Sequence, residues 1–200
     1  MAKIVIDVVL LLPEEIMDLA IEKNKEILKN DQDKIILNKK SCLPHISLLM
    51  GVIDEEHLPA INEILEKIAE EFKPLELTIT NINIFELPDG DKSSDLKLDL
   101  TEEIEKLQKE IYDKLKDYIR YDANSQMFFN PDEMGLGDDD WVNSFVNNQV
   151  GEKFTPHITT GIGEPSPIEE KIKFTASKLA LCHLGSYCTC RKVLLSYELS

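Results

Sequence analysis

Leu43-Pro44-His45-Ile46-Ser47 and Thr155-Pro156-His157-Ile158-Thr159 are two versions of one pattern, Pro-His-Ile-(Ser/Thr), within a chain of 200 residues. Each lies in a short apolar run closed by a glycine, Gly51 in the first and Gly161 in the second. Such runs read as strands. In a strand, residues i and i+2 point the same way, ~6.5 Å apart, so each histidine shares a face with a hydroxyl while the isoleucine between them turns toward the core. A lone histidine on a strand is ordinarily structural, and one such match would carry little weight. The same match twice in one chain carries much more.

The pairing suits phosphodiester cleavage. That reaction needs one group to take a proton from the attacking oxygen and another to give one to the departing oxygen, and imidazole does both near neutrality. A hydroxyl beside each ring can donate to the non-bridging phosphate oxygens without any metal. His45, Ser47, His157 and Thr159 are therefore the candidate catalytic residues, with no metal ligand and no cofactor expected. His57, in an acidic helix start, and His183, near a turn, lack this context and receive no role.

Outward from the motifs, the order of elements is legible. Ile4 to Leu12 is an apolar run with Asp7 inside it, reading as a buried strand over Lys3 to Leu12. Helical spacing follows from Glu14 to Lys29, through Ile16, Leu19, Ala20, Ile27 and Leu28. A polar turn, Asn30 to Asp33, leads to the first motif strand, Leu43 to Gly51. Asp54-Glu55-Glu56 opens a second amphipathic helix to about Phe72, its acidic first turn suited to the helix dipole. From Leu75 the period changes to two, giving strands Leu75 to Phe85 and Asp95 to Leu100 split by the turn Pro88-Asp89-Gly90-Asp91. Thr101 caps a third helix to about Tyr118. After the second motif, Ile172 to Leu181 and Cys188 to Leu199 read as strands joined across Gly185.

Residues 120–153 break this rhythm. They are rich in Asn, Asp and Gly, with aromatic islands at Phe128-Phe129, Trp141 and Phe145, and read as an insertion or lid. No low-complexity tract divides the chain, so residues 1–200 are expected to form one bilobed catalytic domain carrying that insertion.

With 22 basic and 38 acidic residues, the formal charge of -16 disfavours a long duplex nucleic acid, whose binding rests on neutralising many phosphates. A small anionic ligand remains compatible if its pocket supplies local donors. No apolar stretch is long enough to span a bilayer, and the first strand lacks the features of a secretory signal. No membrane partner, a cytoplasmic location and a monomer are expected. On that basis Cys42, Cys182, Cys188 and Cys190 are expected to be reduced thiols. Zinc binding by the last three with His183 is disfavoured by spacing, because no C-x-x-C pair is present and Cys188 and Cys190 alternate as strand residues would.

The motifs and their order resemble the two-histidine phosphoesterases, the family of LigT-like 2′-5′ RNA ligases and cyclic phosphodiesterases. The likeness spans nearly the whole chain. It runs from the initial strand through Pro44-His45-Ile46-Ser47-Leu48 and the Asp54-Glu55-Glu56-led helix, the Leu75, Leu77, Ile79 and Phe85 stretch, and the third helix. It continues through Phe154-Thr155-Pro156-His157-Ile158-Thr159 to the terminal Leu184-Gly185-Ser186-Tyr187 and Arg191-Lys192 hairpin. The resemblance implies an α+β, bilobed fold: two antiparallel sheets with outer helices around a central cleft, one motif in each lobe. It implies action on 2′,3′-cyclic phosphates, 2′-5′ linkages or related small nucleotides, in RNA ends or free, usually without a metal. Two features depart from the family pattern. Ser47 stands where threonine is commoner, and residues 120–153 are longer than the simplest members need, which bears on what substrate fits.

Tyr187, Arg191, Trp141 and Lys153 are the candidate substrate-binding residues, the cations for phosphate and the rings for a base, since base–aromatic stacking contributes ~1–3 kcal/mol. Lys39 and Lys40 could also supply charge. Phe85 is expected in the core. Two rival readings stand beside the enzyme. Asp122, Asn124, Gln126, Phe128, Asn130 and Glu133 fall at the ligand spacing of a calcium loop, although Met127 occupies the position that wants glycine. The other rival is an inactive nucleotide-binding or protein-interaction module on the same fold.

Overall fold

The computed structural model describes residues 2–28, 34–87, 90–133 and 138–200. Strand β1 (Lys3–Leu11) is followed by helix α1 (Glu14–Leu28), β2 (His45–Asp54), α2 (Leu58–Glu71), β3 (Leu75–Glu86), β4 (Lys92–Leu98) and α3 (Glu102–Leu115). Helix α4 (Asp138–Asn148), β5 (His157–Ile162), β6 (Ile172–Ala176), β7 (Lys178–Gly185) and β8 (Thr189–Glu198) complete the order. The turns Asn30 to Asp33 and Pro88-Asp89 lie outside the described residues.

The strands form two four-stranded sheets, ordered β2-β1-β7-β8 and β5-β4-β3-β6, and every pairing is antiparallel. The fold is therefore α+β with two antiparallel sheets, as the family resemblance implied. Each motif strand is an edge strand of its own sheet. Both begin at the histidine itself, because the preceding proline has no N–H to give a ladder.

One face of the first sheet sends Val8, Leu10, Ile46, Leu48, Leu179 and Leu181 into the main core, which also takes the apolar stripes of α2 and α3. Thr101 caps α3, its side chain accepting from the backbone N–H of Ile104, and the acidic first turn of that helix complements the dipole. The opposite face of the first sheet carries a second, smaller apolar cluster of Val9, Leu11, Ala180, Cys182 and Cys190.

Four expectations need correction. Ile172 to Leu181 is two strands, since the chain leaves the second sheet after Ala176 and enters the first at Lys178. The alternation of Ile172-Lys173-Phe174-Thr175-Ala176 breaks at the polar pair Ser177-Lys178, where the chain changes sheet. Cys188 lies in the single turn Ser186–Cys188 rather than in a strand, with φ +52°. Cys182 and Cys190 form a disulfide between β7 and β8, where reduced thiols were expected, because register shifts in that pair bring the two onto one face. Phe85 is 44% exposed near the end of β3, outside the core.

Residues 120–153, expected as an insertion or lid, send Ala123, Phe128, Val142 and Phe145 into the main core. Their backbone bonds to the first sheet, Arg120 exchanging hydrogen bonds with Val52 and Phe129 donating to the Leu184 carbonyl. The buried Gln108 of α3 holds the end of the segment, donating to Gln149 and accepting from Gly151.

Candidate active site

Both motifs present their residues alike. In His45-Ile46-Ser47-Leu48 and in His157-Ile158-Thr159-Thr160 the first and third residues are half-buried and the second and fourth buried. Ile46 and Ile158 are each fully enclosed. Period-two alternation thus puts one imidazole and one hydroxyl on the same open face of each strand.

The rings are oriented by one device used twice. His45 Nδ1 lies 2.7 Å from the Leu43 carbonyl, and His157 Nδ1 lies 2.8 Å from the Thr155 carbonyl. A carbonyl oxygen can only accept, so Nδ1 carries the proton in each ring and donates it. Nε2 is left as the nitrogen available for proton transfer. The two motif strands approach each other within 8 Å between Cα atoms, and α1 packs against β5 while α4 packs against β2.

The glycines that close the motifs make room for neighbours. A Cβ on Gly51 would lie 2.2 Å from Ile119, and one on Gly161 would lie 2.8 Å from the Asn24 carboxamide of α1. Gly161 also holds φ +141°, which L side chains rarely adopt.

Two buried carboxylates stand on the motif faces, and sequence reasoning passed over both. Asp7 of β1 is fully buried, pairs in register with Met50 and Cys182, and reaches within 3.6 Å of His45 Nε2. Asp95 of β4 lies directly opposite Thr159 and accepts from Asn83 Nδ2 at 3.2 Å. Burial raises the Asp95 carboxyl above its ordinary value, against the opposing pull of His157, the Asn83 hydrogen bond and Lys97. The available signal was a charged residue inside an otherwise apolar strand, visible at Asp7 and weaker at Asp95.

The expected binding residues are dispersed. Arg191 of β8 sits beside the approach to the first motif, where Leu43 donates to the Cys190 carbonyl. Its guanidinium contacts the Ser41 carbonyl at 3.4 Å and Glu133 at 3.2 Å, and Gly185 leaves the space its side chain fills. Tyr187 is half-buried at φ +56° in the turn Ser186–Cys188. That turn is joined to α4 through Ser186, which donates to Asp138, so Tyr187 and the helix bearing the exposed Trp141 are neighbours in the fold. Lys153 stands apart, exposed and donating to the Asn147 carbonyl at 2.6 Å. Lys39 is engaged by Glu14 and Asp18.

The would-be calcium ligands have other partners: Asp122 pairs with Lys3 at 2.5 Å, Asn124 caps its own turn, and Glu133 pairs with Arg191. His183 bonds to the Met127 carbonyl and is not grouped with the cysteines as a metal site among the described residues. One acidic group, Asp54, Glu56 and His57, has metal-like proximity, but Asp54 is already paired with Arg120. Among the described residues no helix is long and apolar enough to cross a membrane.

Comparison with known proteins places this arrangement. TT0787 of Thermus thermophilus superposes with a TM-score of 0.60 at 16% identity, covering 98% of each chain. E. coli LigT complexed with NADP+ gives 0.56 at 13% identity, covering 100% of this chain and 99% of that one. E. coli LigT complexed with 3′-AMP gives 0.52 at 12% identity with the same coverage. At these identities the likeness establishes the fold. No curated protein sequence matches the chain. Residues 39–181, which include both histidine motifs, match the model of the 2′-5′ RNA ligase superfamily. Both the sheet topology and this match lead to one conclusion: the chain belongs to the 2′-5′ RNA ligase superfamily.

Proposed function

We propose that the protein is a metal-independent phosphoesterase that cleaves a small nucleotide-type phosphodiester, a 2′,3′-cyclic phosphate, a 2′-5′ linkage or a related cyclic nucleotide. The observation that carries this reading is the identical presentation of His45 with Ser47 and of His157 with Thr159. Each ring is locked through Nδ1 to a carbonyl two residues back, on edge strands that approach one another. Such preorganisation costs nothing further at the moment of reaction.

In the reaction one imidazole takes the proton of the attacking water as its oxygen bonds to phosphorus. The bond to the leaving oxygen breaks, and the other imidazole supplies that oxygen with a proton. Ser47 and Thr159 donate to the non-bridging oxygens, where charge is held through the transition state. Arg191, Tyr187, Trp141 and Lys153 are proposed to bind the substrate, with Arg191 favoured by its place beside the first motif. NADP+ and 3′-AMP bound to E. coli LigT fit the nucleotide-type ligand proposed here.

The test is turnover of 2′,3′-cyclic mononucleotides, 2′-5′ oligonucleotides, ADP-ribose cyclic phosphate and cyclic oligonucleotides in EDTA. Hydrolysis of at least one that persists in chelator is the expected result. Binding without turnover across the panel would instead establish an inactive nucleotide-binding module.

A further inference from the structure

A chain of net charge -16 needs a local cation wherever it holds a phosphate. Arg191 is engaged by Glu133, Lys39 by Glu14 and Asp18, and Lys153 by the Asn147 carbonyl. Lys97 of β4 is not. It is exposed, and among the described residues its ammonium has no ion-pair or hydrogen-bond partner, the one side-chain bond to this residue being that of Thr80 to its carbonyl at 3.3 Å.

Ladder register puts Lys97 directly opposite His157. Leu98, the next residue, donates to the Pro156 carbonyl, so Lys97 and His157 form a rung without hydrogen bonds of its own. Side chains stand closest on such rungs, with Cβ atoms about 4.5–5.5 Å apart. Leu96 and Leu98 are buried, so Lys97 points to the open face, where His157 and Thr159 also stand. Two neighbours could have claimed the ammonium. From β3 the residue opposite is the uncharged Asn81. On β4 itself Asp95 shares the face, but its carboxylate accepts from the Asn83 amide, and Lys97 acts on it only through charge.

We infer that Lys97 is a substrate-binding residue whose ammonium holds the phosphoryl group that lies against His157 and Thr159. This deepens the phosphoesterase reading and rests on it for the reaction, whereas the binding of phosphate stands without it. The flexible four-carbon stem lets the ammonium follow the phosphoryl group, and its three donors reach non-bridging oxygens that Thr159 leaves open. Bound substrate and transition state both present those oxygens, so the contact serves affinity rather than the chemical step.

The test uses the full chain with Lys97→Met, which keeps the stem and removes the charge, and Lys97→Arg, which keeps the charge. Inorganic phosphate is titrated while the backbone amides of His157 and Thr159 are followed by NMR. Both signals should move in the wild type. In K97M the dissociation constant should rise about tenfold, as for loss of one hydrogen bond between charged groups, and added salt should weaken binding less than it does in the wild type. K97R should restore most of the affinity. With whichever phosphodiester of the panel is turned over, K97M should raise KM about tenfold while kcat holds, the pattern of a contact made equally in both states. Because the side chain is exposed, the urea midpoint of K97M should match that of wild type. Phosphate that leaves the His157 and Thr159 signals unmoved, or an affinity unchanged in K97M, overturns the inference. A loss in K97R as large as in K97M also overturns it, since charge would then not be the cause. Weakened phosphate binding in K97M with no turnover of any phosphodiester upholds Lys97 and sinks the phosphoesterase reading instead.

Discussion

The Asn24 carboxamide of α1 donates to the Thr160 carbonyl at 2.9 Å, joining residues 136 positions apart directly behind the second motif. The same side chain donates to the Ile35 carbonyl and accepts from the Leu37 N–H, each at 2.9 Å. All three bonds are buried. The helix that follows β1 of the first sheet thereby holds the strand that carries His157 and Thr159 in the second.

Asn24→Leu should therefore be costly. It leaves two buried carbonyls and one N–H unsatisfied, at about 1–3 kcal/mol for each group that water cannot reach. The urea midpoint should fall with an unchanged slope. A variant as stable as wild type would show that α1 is not anchored this way.

Replacing His45 or His157 with alanine should lower kcat/KM by about 10²–10⁴-fold each, the usual contribution of a positioned acid or base. Ser47→Ala or Thr159→Ala should cost about 10²-fold or less, as for loss of one donor to a charged oxygen. The double histidine variant should be little worse than either single, because the two act as a unit. Additive losses would separate their roles.

Asp95→Asn should exchange activity for stability. Burial raises the Asp95 carboxyl above its ordinary 3.8, so the folded protein favours the protonated form. The stability this supplies is complete below 3.8 and is lost as pH rises through the folded value. Asparagine keeps an oxygen for Asn83 but has no charge to desolvate. The variant should match wild type in urea at low pH and exceed it at neutral pH, while turnover falls. A neutral-pH midpoint below that of wild type would contradict the sign.

The net charge of -16 repels a polyanion at long range, so a short ligand should outcompete a long one. We expect kcat/KM for a 2′,3′-cyclic mononucleotide to exceed that for a long RNA ending in the same group, and added salt to improve binding of the RNA. Preference for the RNA, with affinity falling as salt rises, would reveal a basic groove that the net charge conceals.

Local pattern made much of this legible. The twin Pro-His-Ile-(Ser/Thr) runs marked both motif strands, and period-two alternation predicted which of their residues would be enclosed. Helix α3 declared itself by its Thr101 cap and apolar spacing, and α2 by apolar spacing alone. Asp54 ends β2, Glu55–His57 form a separate turn, and α2 begins at Leu58 without the acidic first turn expected of it. What stayed hidden depends on partners remote in the chain. The switch of sheets between Ala176 and Lys178 is marked locally by nothing stronger than the polar pair Ser177-Lys178, which breaks the alternation without any glycine or proline to signal a turn. The pairing of Cys182 with Cys190 depends on ladder register, and the proximity of Asp7 to His45 on how one ring turns across two rungs. Arg191 was singled out for its charge alone, whereas its position follows from the bond between Leu43 and Cys190.

The division of strands between sheets has a consequence for synthesis. The second sheet uses β3 to β6 and has all its strands once residue 176 has emerged, whereas β1 and β2 must wait for β7 and β8 to complete theirs. On a ribosome, where chains emerge at about 5–20 residues per second, the lobe bearing His157 can mature first. The lobe bearing His45, although made earlier, stays an incomplete ribbon with an open edge until the last strands arrive. Mutations in β7 or β8 should then act like lesions in the first motif, trapping a half-built protein whose exposed strands invite aggregation.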